Sequence, residues 1–202
     1  MSIAPVTLAG RSVVLTPWSD DALDEVARAA LSSPEVWRYF PARVATSDDV
    51  AAFVAGFAHH LETSGTGLMF VTRERGQGRV IGGSSFLNAD ETNRKVEIGF
   101  TWLLPAWQRT AVNTEAKSLM LEHAFTVLGA LRVEFKADAR NERSRAALLR
   151  LGAREEGTLR SHMICWDGHR RDSVYFSVLD TEWPAVRERL ASRLSRAAFG
   201  AP

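Results

Sequence analysis

Asn141-Glu142-Arg143-Ser144-Arg145-Ala146-Ala147-Leu148-Leu149-Arg150-Leu151-Gly152-Ala153-Arg154-Glu155-Glu156-Gly157 follows a strand-like run, Leu131-Arg132-Val133-Glu134-Phe135-Lys136-Ala137. The asparagine is a good N-cap, and the glycine is a good stop, so a helix is predicted over 142–151 directly after a strand. The handover carries two polar side chains. Asn141 offers an amide that can bind another amide, and Ser144 presents a hydroxyl one turn in.

Moving outward, Thr114 to Leu128 has the clearest helical pattern, with Leu119, Met120, Ala124, Val127 and Leu128 as its apolar stripe. Strands are predicted before it at 68–73, 79–87 and 95–103, separated by turns holding Gly76, Gly78 and the polar run 88–93. Further back, Arg11–Thr16 reads as a first strand and Asp20 or Asp21 caps a helix to about Leu31. Pro34 and Pro41 bracket a loop, and a second helix follows Thr46 to about Leu61. Downstream come strands near 153–160 and at 172–179, then an amphipathic helix from Glu182 to about Arg196. The order βααβββαβαββ mixes hairpins with β-α-β-α steps. It predicts an α/β fold on a mixed sheet, with a cleft where two strands diverge. No repeat or linker interrupts it, so one domain over 1–202 is expected, with its core at about 8–190.

The composition is ordinary, with 46% hydrophobic and 24% charged residues. A net charge of +1 supplies no overall field toward nucleic acid. The single cysteine, Cys165, leaves no internal disulfide and fits a cytoplasmic setting. No signal-peptide pattern and no membrane-length apolar run is visible. The five histidines show no metal-ligand spacing, so no metal is expected.

Several short stretches in this order resemble the GCN5-related N-acetyltransferases, in particular the branch of the ribosomal-protein alanine N-acetyltransferases. They are Val96-Glu97-Ile98-Gly99-Phe100, Gln108 to Lys117, Asn141-Glu142-Arg143-Ser144 with Leu151-Gly152-Ala153, Arg171 to Leu179, and Glu182-Trp183. The likeness spans about residues 8–190. It implies a central mixed sheet flanked by helices and transfer of an acyl group, most simply acetyl, from coenzyme A to an amine. The partners implied are acyl-CoA and an amine acceptor, with no nucleic acid and no membrane, in a monomer or homodimer.

Such chemistry needs a held carbonyl, a neutral amine, charge stabilisation and a proton for the thiolate. By the resemblance, the cofactor site draws on Leu103, Leu104, Gln108, Arg109, Thr110, Ala111, Val112, Asn113, Thr114, Asn141 and Ser144. The start of the long helix suits a pyrophosphate, because its free N–H groups and partial positive charge face outward. The family's glycines are absent from this loop, and Arg109 with the Thr110, Asn113 and Thr114 side chains stands in their place. Asn113 or Thr114 can equally be a plain helix cap, as can Asn141. The resemblance implies that Asn141 contacts the pantetheine and that Ser144 lies near the sulfur. The tyrosine acid that many members carry on this helix is replaced by Leu148.

Glu97 alternates with Val96 and Ile98 and so faces away from the core they enter. It can take the amine proton, anchor an ammonium, or be an ordinary paired glutamate. Trp37, Phe40 and His162 are further acceptor-side candidates, His162 as a second-rank base. Arg187, Arg189, Arg193 and Arg196 read as a solvated basic face. The competing reading is a non-catalytic acyl-CoA binder or interaction module on the same fold, motivated by the glycine-free loop and the missing tyrosine.

Overall fold

The computed structural model describes residues 3–199, with side chains through Arg196. Its sheet has eight strands: β1 (Leu8–Ala9), β2 (Val13–Pro17), β3 (Leu68–Glu74), β4 (Val80–Asp90), β5 (Lys95–Leu103), β6 (Arg132–Asp138), β7 (Arg154–Ile164) and β8 (Arg170–Leu179). They lie in the order β1-β2-β3-β4-β5-β6-β8-β7. All neighbours are antiparallel except β5 and β6. That parallel pair needs a crossover, which α4 (Ala111–Glu122) supplies. The sheet is mixed, as the element order predicts.

The helices cover both faces. On one face, α1 (Leu23–Leu31), α2 (Ser47–Val50) and α3 (Gly56–Ser64) pack over a core containing Val26, Val50, Val54, Leu61, Val71 and Trp102. A π-turn over Ala51–Ala55 joins α2 to α3. On the other face, α4, α5 (Glu142–Leu151) and α6 (Trp183–Phe199) belong with a core around Phe70, Phe86, Ile98, Met120, Phe135 and Leu190. Period-two alternation explains the split. Val96 and Ile98 enter the second core, while Glu97 between them faces the other way.

Two expectations for the long helix change. It starts at Ala111, not Thr114, because Thr110 is the cap: its hydroxyl accepts from the Val112 N–H at 3.3 Å. Asn113 and Thr114 therefore sit inside the first turn. Val127 is 68% exposed rather than part of the stripe, because the helix passes into a π-turn over His123–Val127. The wider turn rotates the later side chains away from the core.

Two irregularities open the sheet. β6 pairs with β5 only over Lys95–Glu97 and then stays with β8 as far as Asp138. Beyond Glu97 the β6-facing edge of β5 has no strand partner. In addition, Gly83 pairs with Trp102 and Ser85 with Gly99, so β5 carries one extra residue opposite β4. Phe100 absorbs this bulge at φ 48°, a left-handed conformation that costs a bulky residue about 1–3 kcal/mol. Its ring offsets the cost by stacking on Phe57 at 4.7 Å and meeting Phe53 and Phe40 at 5.2 and 5.4 Å.

Candidate active site

A cavity of about 780 Å³ fills the gap between β5 and β6. Residues 97–103 of β5 and 135–138 of β6 form its two edges, and the first turns of α4 and α5 converge on it. The aromatic rings of Phe40, Phe53, Phe57 and Phe100 close one end. The other end lies among α4, α5 and α6.

Most of the residues singled out from sequence meet here. Phe40, Glu97, Leu103, Gln108, Arg109, Thr110, Ala111, Asn113, Thr114, Asn141 and Ser144 all line the cavity. Four do not. Val112 is buried in the core beneath α4, because it occupies the helix's inner face. Leu104 packs against the core on the opposite face. Trp37 is 4% exposed, donates its indole N–H to the Ala30 carbonyl at 3.0 Å, and is a core residue beside Phe40. His162 lies on β7 outside the cavity lining, with Nδ1 3.0 Å from Ser173 Oγ and Nε2 3.5 Å from the Tyr175 hydroxyl.

The end among the helices is rich in positive charge. The N-terminus of α4 points its free N–H groups there, and Arg109 precedes it at φ 63°, the left-handed conformation a glycine would adopt freely. Arg143 reaches from α5 to the Gln108 side-chain oxygen, while the Gln108 amide donates to the Leu103 carbonyl at 2.7 Å. Gln108 thus ties the loop to β5 and α5. Asn141 is the cap of α5, its oxygen accepting the Ser144 N–H at 3.0 Å, which leaves its NH₂ as the donor for another group. Arg193, read from sequence as part of a solvated face, also lines the cavity with Leu190 and Leu194. These positions are three and four residues apart, so one face of α6 forms a wall.

At the opposite end, Glu97 is 4% exposed. It accepts a hydrogen bond from the Asn88 amide at 2.9 Å, and Lys136 Nζ lies 3.7 Å away. A Cβ built on Gly99 would come within 3.0 Å of the Glu97 carboxylate, so the carboxylate lies directly over the bulged stretch of β5. Arg171 and Asp138 complete this end. The Arg171 guanidinium donates to the Tyr39 carbonyl at 3.3 Å and lies 3.9 Å from Asp138, which Arg140 also grips at 2.8 Å. Burial works against the Asp138 charge, but its hydrogen bonds from Arg140 prevail and hold the carboxyl below the usual range. Burial, then the Lys136 and Arg171 charges, push the His162 imidazole down and favour its neutral form.

One further group joins the site without a place in the sequence reading. Lys117 is 5% exposed, lines the cavity from α4, and donates to Ser84 Oγ at 2.8 Å and Thr101 Oγ1 at 2.6 Å. Both partners are uncharged, so burial pushes its ammonium down to about 7. A signal existed in the sequence: Lys117 precedes Met120 and Leu121 by three and four positions, which places it on the inner face. Asn88, Lys136 and Arg171 carried no comparable signal, since only the folded sheet brings them to Glu97.

Comparison with known proteins agrees with this geometry. Residues 12–154 match the family described as the acetyltransferase (GNAT) domain. A curated Bacillus subtilis (strain 168) protein named as a candidate ribosomal N-acetyltransferase, YdaF, is 37% identical over 106 residues, 52% of this chain. The match spans only 57% of that relative's length. A crystal structure from T. thermophilus, assigned as an acetyltransferase, is 38% identical with a TM-score of 0.84, covering 96% of this chain and 100% of that one. A GCN5-related N-acetyltransferase from Brucella melitensis is 29% identical with a TM-score of 0.84, covering 96% and 87%. From its sheet, its split cavity and these matches, the chain belongs to the GCN5-related N-acetyltransferases, a family of acyl-CoA-dependent enzymes.

Proposed function

We propose that this chain transfers an acetyl group from acetyl-CoA to a primary amine by direct attack within a ternary complex. The observation that carries the reading is the polarity of one continuous cavity. Arginines unpaired among the described residues and a helix N-terminus occupy one end, a buried carboxylate paired with Lys136 lies at the other, and an unpaired strand edge runs between them. An extended pantetheine arm carries amides and can lie along that edge as an added strand, exchanging hydrogen bonds with β5. Its pyrophosphate then meets Arg109 and the first turn of α4, and its thioester reaches the bulge at Gly99–Phe100.

In this reading Glu97 receives the amine. A carboxylate held by Asn88 and Lys136 attracts an ammonium and takes its proton, directly or through water, leaving a lone pair for the thioester carbonyl. His162 is the weaker base, because its two ring nitrogens already face Ser173 and Tyr175. Ser144, at the start of α5 and in the cavity lining, offers the hydroxyl that in this reading gives a proton to the departing thiolate. The Asn141 NH₂ holds a pantetheine carbonyl. Phe40 shapes the acceptor pocket together with Phe53, Phe57 and Phe100.

The test is thiol release from acetyl-CoA with peptides bearing free N-termini, amino acids and polyamines supplied in turn. Turnover with at least one amine is the expected result. Retained coenzyme A binding without turnover on any acceptor would overturn the catalytic reading.

A further inference from the structure

β5 turns one side chain against its own alternation. Val96 and Ile98 enter the core beneath α4, and an unbroken strand sends the next residue but one after them. The bulge opposite β4 reverses Phe100, which packs instead toward the core under α1–α3, the side that Glu97 faces. The backbone holds φ at 48° to do so. Strain of this kind gathers at binding sites, where the surrounding structure fixes it.

The Phe100 ring joins three others. Phe57 stacks on it at 4.7 Å, Phe53 and Phe40 meet it at 5.2 and 5.4 Å, and Phe40 and Phe53 meet each other at 6.3 Å. All four line the cavity and all four are only half-buried, whereas Phe70, Phe86, Phe135 and Phe176 are fully buried in the other core. The cluster therefore leaves a concave apolar surface beside a few polar groups, which is the make-up of a ligand pocket and not of a closed core.

Charge narrows the occupant. Among the described residues that line the cavity, only Glu97 and Asp138 are acidic. Asp138 is held by Arg140 at 2.8 Å and faces Arg171 at 3.9 Å. Glu97 is less committed: Asn88 bonds Oε2, while Lys136 Nζ stands 3.7 Å from Oε1, beyond hydrogen-bonding reach. One ammonium has a partner here and a second has none. A carboxylate on the same molecule fares no better, because Lys136 and Arg171 already face Glu97 and Asp138.

We propose that the acceptor is a monoamine whose amino group is borne on a bulky apolar group, aromatic or large aliphatic. Glu97 takes the ammonium, and Phe40, Phe53, Phe57 and Phe100 take the apolar part. This inference rests on the acyl-CoA reading above and narrows its amine. Polyamines, free amino acids and chains that begin with a small residue are poor acceptors on this account.

Thiol release from acetyl-CoA is measured for phenethylamine against ethylamine, for Phe-Ala-Ala against Ala-Ala-Ala, and for spermidine. A preference in kcat/KM of about tenfold or more for the aromatic member of either pair is expected, and the pair that shows it tells a small amine from a peptide N-terminus. Phe57→Ser and Phe100→Gly should each reduce that ratio to about twofold or less. Glycine adopts the φ of residue 100 freely, so the second variant removes the ring without straining the backbone. Phe125→Ser, whose ring stacks on Trp183 at 5.3 Å in the other core, keeps the wild-type ratio. Equal kcat/KM within both pairs, or spermidine as the best acceptor, would overturn the pocket and leave the acetyltransferase reading intact. Calorimetry of phenethylamine and ethylamine with coenzyme A-loaded protein reads the pocket without turnover. If no amine is acetylated but phenethylamine binds more tightly, the catalytic reading fails and the pocket stands; equal affinity then overturns both.

Discussion

Replacing Lys117 by methionine tests the physical account of the site's most unusual side chain. Its ammonium sits among uncharged groups, and burial lowers it from the ordinary 10.5 to about 7. At about 1.36 kcal/mol per pH unit, that difference corresponds to about 5 kcal/mol of cost for holding the charge inside. Methionine fills similar space without charge. Ser84 and Thr101 lose their donor but keep each other at 2.9 Å and the Gly99 carbonyl at 3.4 and 3.3 Å. Allowing for imperfect packing, the variant should be more stable by about 1–4 kcal/mol at pH 7. The pH dependence is equally definite. Between pH 7 and 10.5 the unfolded chain holds the proton that the folded chain releases, so native stability rises with pH. The gain is lost progressively as pH falls from 10.5 to about 7, and below 7 both states hold the proton, so this group adds no further dependence. This group alone should add about 2–3 kcal/mol to the wild type between pH 7 and 9, and nothing to the variant. Urea unfolding of both proteins at pH 7 and 9 measures these quantities. A variant less stable than wild type at pH 7, or an advantage identical at both pH values, would refute the reasoning.

Glu97→Gln should lower kcat/KM by about 10²-fold, leaving the affinity for acyl-CoA near wild type, because the carboxylate faces the acceptor and not the phosphate end. Steady-state thiol release checks this, and an unchanged kcat/KM would remove Glu97 from the reaction. Gly152→Ala should destabilise the fold by about 1–3 kcal/mol in thermal denaturation, since φ is +115°, a conformation strained for any residue with a Cβ, and the Arg189 side chain must move to admit the methyl group. Hydrogen bonds from Arg132 and then Ser177 hold the Glu156 carboxyl down to about 2, against 4.5 ordinarily. Its contribution to stability is present above pH 4.5 and lost as pH falls toward 2, so Arg132→Gln should flatten the acid limb of the unfolding curve.

Much of the frame is legible in the sequence because it rests on short-range rules. The caps and stops around 141–152, the alternation through Glu97 and the order of elements are local facts, and the structure keeps them. The boundary of α4 escapes such a reading because Thr110, upstream of the expected start, is also a capping residue. Val127 escapes it because a π-turn breaks the 3.6-residue period from which the stripe is drawn. Arg193 looks like one more basic residue on a solvated helix, since a helical pattern shows which residues share a face but not what that face meets.

The sequence alone determines a mixed α/β fold, the family this chain resembles and a set of candidate side chains most of which line the cavity. Hydrophobic periodicity, capping and motif order carry that information along the chain. Only the tertiary structure decides which of those side chains share a space. The parting of β5 and β6 after Glu97, the bulge at Phe100, the burial of Lys117 and the seating of α6 on α5 all depend on contacts between residues far apart in the chain. Such contacts depend on packing and register across the whole sheet, which no local pattern encodes.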